Sequence, residues 1–166
     1  MTKKGQILLA TVVVLVGMQF MRPEKNSGLA DTPKDITHSV KVSPEIKNIL
    51  EKSCYDCHSN HTEYPWYSNI QPMAGWLAHH IEEGREELNF SEFDSYRLRR
   101  KTHKLKEVIE QINEGEMPMS SYTIVHKEAK LSDEQKTALL KWATESINTL
   151  QDTINKDSTI IKIRIK

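Results

Sequence analysis

The period of the apolar positions changes as the chain is followed from end to end. Ile7 to Val16 form a near-continuous apolar run, preceded by Lys3 and Lys4 and extended weakly through Gly17-Met18-Gln19-Phe20-Met21. Residues 22–42 carry no apolar period; Pro23, Asn26, Ser27, Gly28, Asp31, Thr32 and Pro33 read as a linker. From Ser43 the period becomes helical. Ser43-Pro44 joins a capping residue to proline at the first helical position, and Ile46, Ile49 and Leu50 share one face. A second helix is predicted over about Ala74–Leu88, with Trp76, Leu77, Ile81 and Leu88 inward. A third is predicted over about Ser95–Glu114, with Leu98, Leu105, Val108, Ile109 and Ile112 at helical spacing, until Gly115 breaks it. Ser132-Asp133-Glu134-Gln135 is a capping box that opens a last helix. Its stripe is Leu139, Leu140, Ala143, Ile147 and Leu150, with Trp142 beside it. From Ile160 the pattern alternates Ile161, Ile163 and Ile165 with Lys162, Arg164 and Lys166, a strand-like period. An edge strand or loose tail is the plain reading; contact with an acidic partner or a lipid surface is the sharper one.

These elements describe an all-α chain with one domain, as 166 residues favour. Residues 1–21 read as a signal peptide or membrane anchor, 22–42 as the linker, 43–151 as the helical domain and 152–166 as a basic tail. A positive flank before an apolar core fits an export signal. Gly17 to Pro23 offers no A-x-A-like cleavage site, which favours an uncleaved anchor. The run is shorter than the roughly 20 apolar residues normally needed to span a bilayer. The positive-inside rule puts the rest of the chain outside the cytoplasm. Lys+Arg and Asp+Glu both total 23, and this zero net charge argues against a nucleic-acid binder.

Chemistry concentrates in Cys54-Tyr55-Asp56-Cys57-His58, which holds the chain's 2 cysteines. C-x-x-C-H is the pattern of covalent c-type haem attachment. Two thiols add across the haem vinyl groups, and the histidine lies close enough to ligate the iron. A thioredoxin-like C-x-x-C would follow a strand, whereas a helix precedes this one. A zinc site would want two further ligands at matching spacing. His58 is therefore the expected proximal ligand, its other ring nitrogen donating to a backbone carbonyl. The distal ligand decides function. Met117, in Glu116-Met117-Pro118-Met119, is favoured because proline holds the preceding residue out of helical geometry. Met119 and Met73 are weaker candidates, as is a second histidine, His79 or His80. His61, His103 and His126 read as surface residues. An open sixth position would allow small-molecule binding or peroxide chemistry.

Tyr64, Trp66, Tyr67, Trp76, Tyr122 and Trp142 are expected around the porphyrin or in helix contacts. An acidic stretch (Glu82, Glu83, Glu86, Glu87, Glu92, Asp94) precedes a basic one (Arg97, Arg99, Arg100, Lys101, Lys104, Lys106). Both read as solvated helix faces, with orientation of a redox partner as the alternative.

Taken in order, Cys54 to Asn60, Tyr64-Pro65-Trp66-Tyr67-Ser68-Asn69-Ile70-Gln71-Pro72 and Gly115-Glu116-Met117-Pro118 resemble the haem-binding domain family of short exported bacterial proteins. That family is similar to class I cytochromes c, and the likeness covers about residues 30–150. It implies a cytochrome c-like helical fold around one covalent haem c, held through Cys54, Cys57, His58 and Met117. Met117 matches the methionine before proline that serves as sixth ligand there. The capped helix from Leu131 to Trp142 is similar to the C-terminal end of that fold. Two helices and the Tyr-Pro-Trp-Tyr loop between His58 and Met117 depart from it. The implied activity is one-electron transfer with redox partner proteins, in the periplasm or at the outer face of the cytoplasmic membrane. No substrate-level chemistry is expected. The alternatives are a haem-based sensor or small-ligand binder, or an electron-relay subunit of a larger redox enzyme.

Overall fold

The computed structural model describes residues 2–164, with side chains described as far as Lys156. Among the described residues the structure is helical, without a strand; an isolated bridge joins Ser27 to His61. The α-helices are α1 (Lys3–Met18), α2 (Pro44–Ser53), α3 (Tyr55–His58), α4 (Met73–Glu87), α5 (Leu98–Glu114), α6 (Ser120–Thr123) and α7 (Asp133–Arg164). Short 3-10 turns cover Ile36–His38, Trp66–Asn69, Phe90–Ser95 and Lys127–Ala129.

The caps form where the sequence predicts them. Ser43 Oγ accepts from Ile46 N at 3.2 Å, so α2 starts on a satisfied backbone donor with proline behind it. At α7 the box closes both ways: Gln135 N donates to Ser132 Oγ (3.2 Å) and Ser132 N to Gln135 Oε1 (2.9 Å). Gly115 takes the left-handed conformation (φ 75°) and ends α5.

The core lies between α5 and α7 and closes over α2. Leu105 and Ile112 of α5 meet Leu139, Trp142, Ala143, Ile147 and Leu150 of α7. Ile46, Ile49 and Leu50 of α2 join the same cluster, with Phe90 and Phe93 from the turn before α5. That turn ends on Ser95, the residue expected to open the third helix, which starts at Leu98 instead. Asn89 caps it, its side-chain oxygen accepting from Ser91 N at 3.0 Å.

Residues 22–42 are not the plain linker that their polarity predicts. Ile36 is fully buried and Val40 nearly so. Trp142 Nε1 donates to Lys41 O (3.0 Å), and Asp94 N to Lys34 O (2.8 Å). Asp35 caps the Ile36–His38 turn through Thr37 N (2.9 Å), and its other oxygen accepts from Tyr55 Oη (3.0 Å). A segment with two core positions shows no period, because its burial comes from the elements it crosses.

The charge runs are also not wholly solvated. Lys101 and Lys104 are buried. Lys101 Nζ reaches Asp94 at 2.6 Å; Lys104 Nζ reaches Glu87 at 3.1 Å and Glu107 at 2.7 Å. A buried ammonium needs such partners, and the adjacent acidic stretch supplies two of these three carboxylates. The strand-like tail is corrected as well. α7 carries the backbone helically to Arg164, and residues 165–166 lie outside the described residues. A capped helix adds one hydrogen bond per residue as it grows, whereas a strand there would lack a partner among the described residues.

α1 buries none of its side chains, and no described helix is long and apolar enough to cross a membrane. Its base is tied to the body: Gln71 N donates to Gln19 Oε1 (3.0 Å), and Gln19 Nε2 to Gln71 O (3.2 Å).

Replacing Ile36 with alanine tests the recasting of the linker. A core position should cost about 2–5 kcal/mol, measured by urea unfolding. A tether position would change stability by no more than about 0.5 kcal/mol.

Candidate functional site

Cys54 follows the last residue of α2, and the chain turns there into α3, a single helical turn. Cys57 N and His58 N both donate to Cys54 O, at 3.2 and 2.9 Å. Residues three and four apart share one helix face, so this turn gathers Cys54, Cys57 and His58 on one side. Tyr55 points the other way and fixes the turn to the core. Its ring stacks on Phe90 (centroids 5.4 Å apart, 14° between planes), and its hydroxyl donates to Asp35.

α4 packs directly on this turn. His58 Nδ1 lies 2.7 Å from Gly84 O and 2.9 Å from Leu88 O. Both partners are carbonyls, which only accept, so the proton sits on Nδ1 and Nε2 keeps its lone pair. The approach depends on Gly84. A Cβ there would lie 2.7 Å from Cys57 O and 3.2 Å from Cys57 Cβ. Burial holds the His58 imidazole below its ordinary pKa, outweighing the two carbonyls, which pull upward. A neutral ring with a fixed Nδ1–H is the form that ligates a metal through Nε2.

The two thiols are free. Burial pushes Cys54 up to about 12, with Cys57 adding to the rise, and pushes Cys57 up to about 11, with the Asp56 charge adding. Both stay protonated at neutral pH.

Met117 is delivered by the end of α5. Gly115 N donates to Ile112 O (3.3 Å) and Glu116 N to Gln111 O (3.0 Å), the paired bonds of a Schellman motif. Met117 N adds a 3.3 Å bond to the same Gln111 carbonyl. From the other side the loop is held by α6. Tyr122 Oη donates to Asp56 Oδ2, inside the C-x-x-C-H motif, while Asp56 Oδ1 accepts from Glu63 N at 2.9 Å. The Tyr122 ring stacks on His126 (4.2 Å, 10°), and His126 Nε2 lies 2.7 Å from Tyr67 Oη. His126 is thus packed, not the surface residue expected. Burial and the hydrogen bond to Asp56 hold the Tyr122 hydroxyl far above its ordinary range.

Cavities of about 360 and 450 Å³ meet at this point, each within the roughly 300–1,000 Å³ usual for a ligand pocket. They share Ser53, Cys54, His58, Glu87, Met117 and Pro118 and form one cleft. Cys57 lines the first with Met119, Tyr122 and His80; Leu88, Phe90, Val108, Ile112 and Leu131 give the second its apolar wall. Sulfur and imidazole donors at one wall, a thioether at another and apolar side chains between them suit a haem.

The other expected residues divide clearly. Met117 lines both cavities and Met119 one, while Met73 is exposed and lines neither. His80 borders the first cavity, edge-on to Trp76, and His79 faces solvent, 3.3 Å from Glu83. His61 and His103 sit on the surface beside Glu63 and Glu107. Trp142 belongs to the core, and Trp66 is 77% exposed, far from the packing role expected of it. Sequence reasoning missed Gly84, the Asp56–Tyr122 bond and the His126 stack. A glycine inside a predicted helix was the available signal for the first.

The fold and the cleft define a class: a helical protein with a ligand-sized cleft beside a C-x-x-C-H turn. The model of the haem-binding domain family matches residues 13–145, and the chain belongs to that family. It is a haem-binding protein. Neither the curated proteins nor the solved structures give a match.

Gly84→Ala should destabilise the chain by about 1–3 kcal/mol, as overpacking does, and lower haem retention by pushing α4 off α3. Gly17→Ala, where nothing lies within 4 Å of the added Cβ, serves as the control. Equal unfolding midpoints for the two variants would refute the close approach.

Proposed function

We propose that the chain is a single-haem c-type cytochrome that transfers one electron at a time at the outer face of the cytoplasmic membrane. Cys54 and Cys57 would hold the haem through thioether bonds, and His58 and Met117 are the residues that would ligate its iron. The observation that carries this reading is the shared cleft, where Cys54, His58 and Met117 line both cavities and Nδ1 of His58 is already committed to two carbonyls.

Haem iron supplies the one-electron chemistry when bound. The chain's own residues do the rest. Gly84 O and Leu88 O orient the imidazole and keep Nε2 unprotonated. Leu88, Phe90, Val108 and Ile112 exclude water, which lowers the local dielectric and disfavours the more highly charged ferric state. A thioether as second ligand raises the potential further and suits a carrier. With His58 and Met117 both engaged on the iron, the group would carry electrons and leave no position for a substrate. The cleft edge carries Glu83, Glu86, Glu87, Glu107 and Glu110, against which Lys104 is the cation. Redox partner proteins would read that edge.

Export and retention by α1 complete the proposal. Lys3 and Lys4 open a helix whose remaining residues are mostly apolar and which buries no side chain, which is the pattern of an exported chain held by an uncleaved anchor.

Met117→Ala should abolish the weak ferric charge-transfer band of methionine–iron ligation and lower the potential, with Met119→Ala changing neither. The reverse pattern would make Met119 the ligand. A high-spin wild-type spectrum with fast carbon monoxide binding would replace the carrier by a small-ligand binder.

A further inference from the structure

The cleft leaves several exposed apolar side chains of the body unexplained, one group of them beside the base of α1. Trp66, Ile70 and Met73 are exposed at 77, 46 and 43% and lie in the 3-10 turn, the extended residue after it and the first position of α4. They flank Gln71, the residue that ties the base of α1 to the body. Gln71 Nε2 also donates to Met21 O at 2.6 Å, and Phe20 and Met21 are themselves exposed at 85 and 69%. The exposed apolar side chains at the base of α1 and at the start of α4 therefore flank one junction, closed by the Gln19 and Gln71 hydrogen bonds. At its margin Lys25 is held by Asn69 Oδ1 (3.2 Å) and lies over the Tyr64 ring.

A helix that is apolar all round is covered by protein or by lipid. α1 is covered by no protein, having no buried residue. At 1.5 Å per residue its 16 residues measure about 24 Å, short of the roughly 30 Å hydrocarbon core. A short anchor draws the flanking residues toward the interface. Those residues here are an exposed tryptophan, two aliphatic side chains and a lysine. Tryptophan concentrates at the membrane interface, and lysine faces anionic headgroups there.

We propose that Trp66, Ile70 and Met73, together with Phe20 and Met21 across the Gln71 junction, form a lipid-contact surface that seats the haem domain on the bilayer beside its own anchor. The proposal rests on the reading of α1 as a retained anchor. It adds that the body lies on the membrane at a fixed side, with the haem cleft presented at a set height to membrane-bound partners.

The test uses the full-length holoprotein on vesicles of phosphatidylcholine and phosphatidylglycerol that include a phospholipid with a diazirine near its headgroup. After irradiation, adducts should map to the peptide containing Trp66–Met73 as well as to α1. A W66S/I70S/M73S variant should keep its haem spectrum and still float with vesicles, but lose the loop adducts. Adducts on α1 alone, with the protein bound, would overturn the seating surface and leave the anchor intact. Failure of the wild type to float would overturn the anchor reading, and the seat with it. A dimer of the vesicle-bound wild type that the triple variant does not form, with no lipid adducts on the loop, would assign the patch to a second copy, against the proposal.

Discussion

The contact between α3 and α4 at Gly84 is the constraint on which the site depends. It brings a helix backbone against a one-turn helix, close enough that a methyl group would strike Cys57 O. The same approach puts two carbonyls, Gly84 O and Leu88 O, on Nδ1 of His58. Gly84 O also accepts from Leu88 N (2.9 Å), so the imidazole N–H shares the carbonyl that closes α4 and takes Leu88 O just past the helix end. One packing event thus ends α4, fixes the ring and frees Nε2. On its far side α3 is held by Tyr55, through Phe90 and Asp35.

A second tie closes the cleft from across. Asp56 sits between the two cysteines, and its carboxylate takes the Tyr122 hydroxyl four residues beyond the Met117–Pro118 pair. The loop carrying Met117 is therefore fixed twice, by the Schellman end of α5 and by α6 on the C-x-x-C-H turn. A loop backbone held in this way is placed by the fold itself, so little of its ordering entropy remains to be lost on binding a ligand.

Much of this was legible in the sequence, and the rest was not, for physical reasons. Ser43-Pro44, Gly115 and the Ser132–Gln135 box act within a few residues of themselves, so their local chemistry sufficed. The C-x-x-C-H stretch and Met-Pro loop were readable as motifs, and the cleft brings them together. Ile36 and Val40 were not readable as core, because two apolar side chains in a polar segment have no period. Lys101 and Lys104 looked solvated because only the tertiary structure brings Asp94 and Glu87 to them. His126 and Tyr122 depend on α6 folding back over the motif, a contact spanning 66 residues between Asp56 and Tyr122. The alternating tail misled because period alone cannot supply a partner strand; the helix already running from Asp133 could continue through it.

Covalent attachment of one haem at Cys54 and Cys57 is the central claim, and the intact mass of the denatured holoprotein tests it most directly. The account predicts a mass of one chain plus one haem that survives acid and solvent, with the added mass mapping to the peptide of Cys54 and Cys57. A bare chain mass with haem released on denaturation would contradict it.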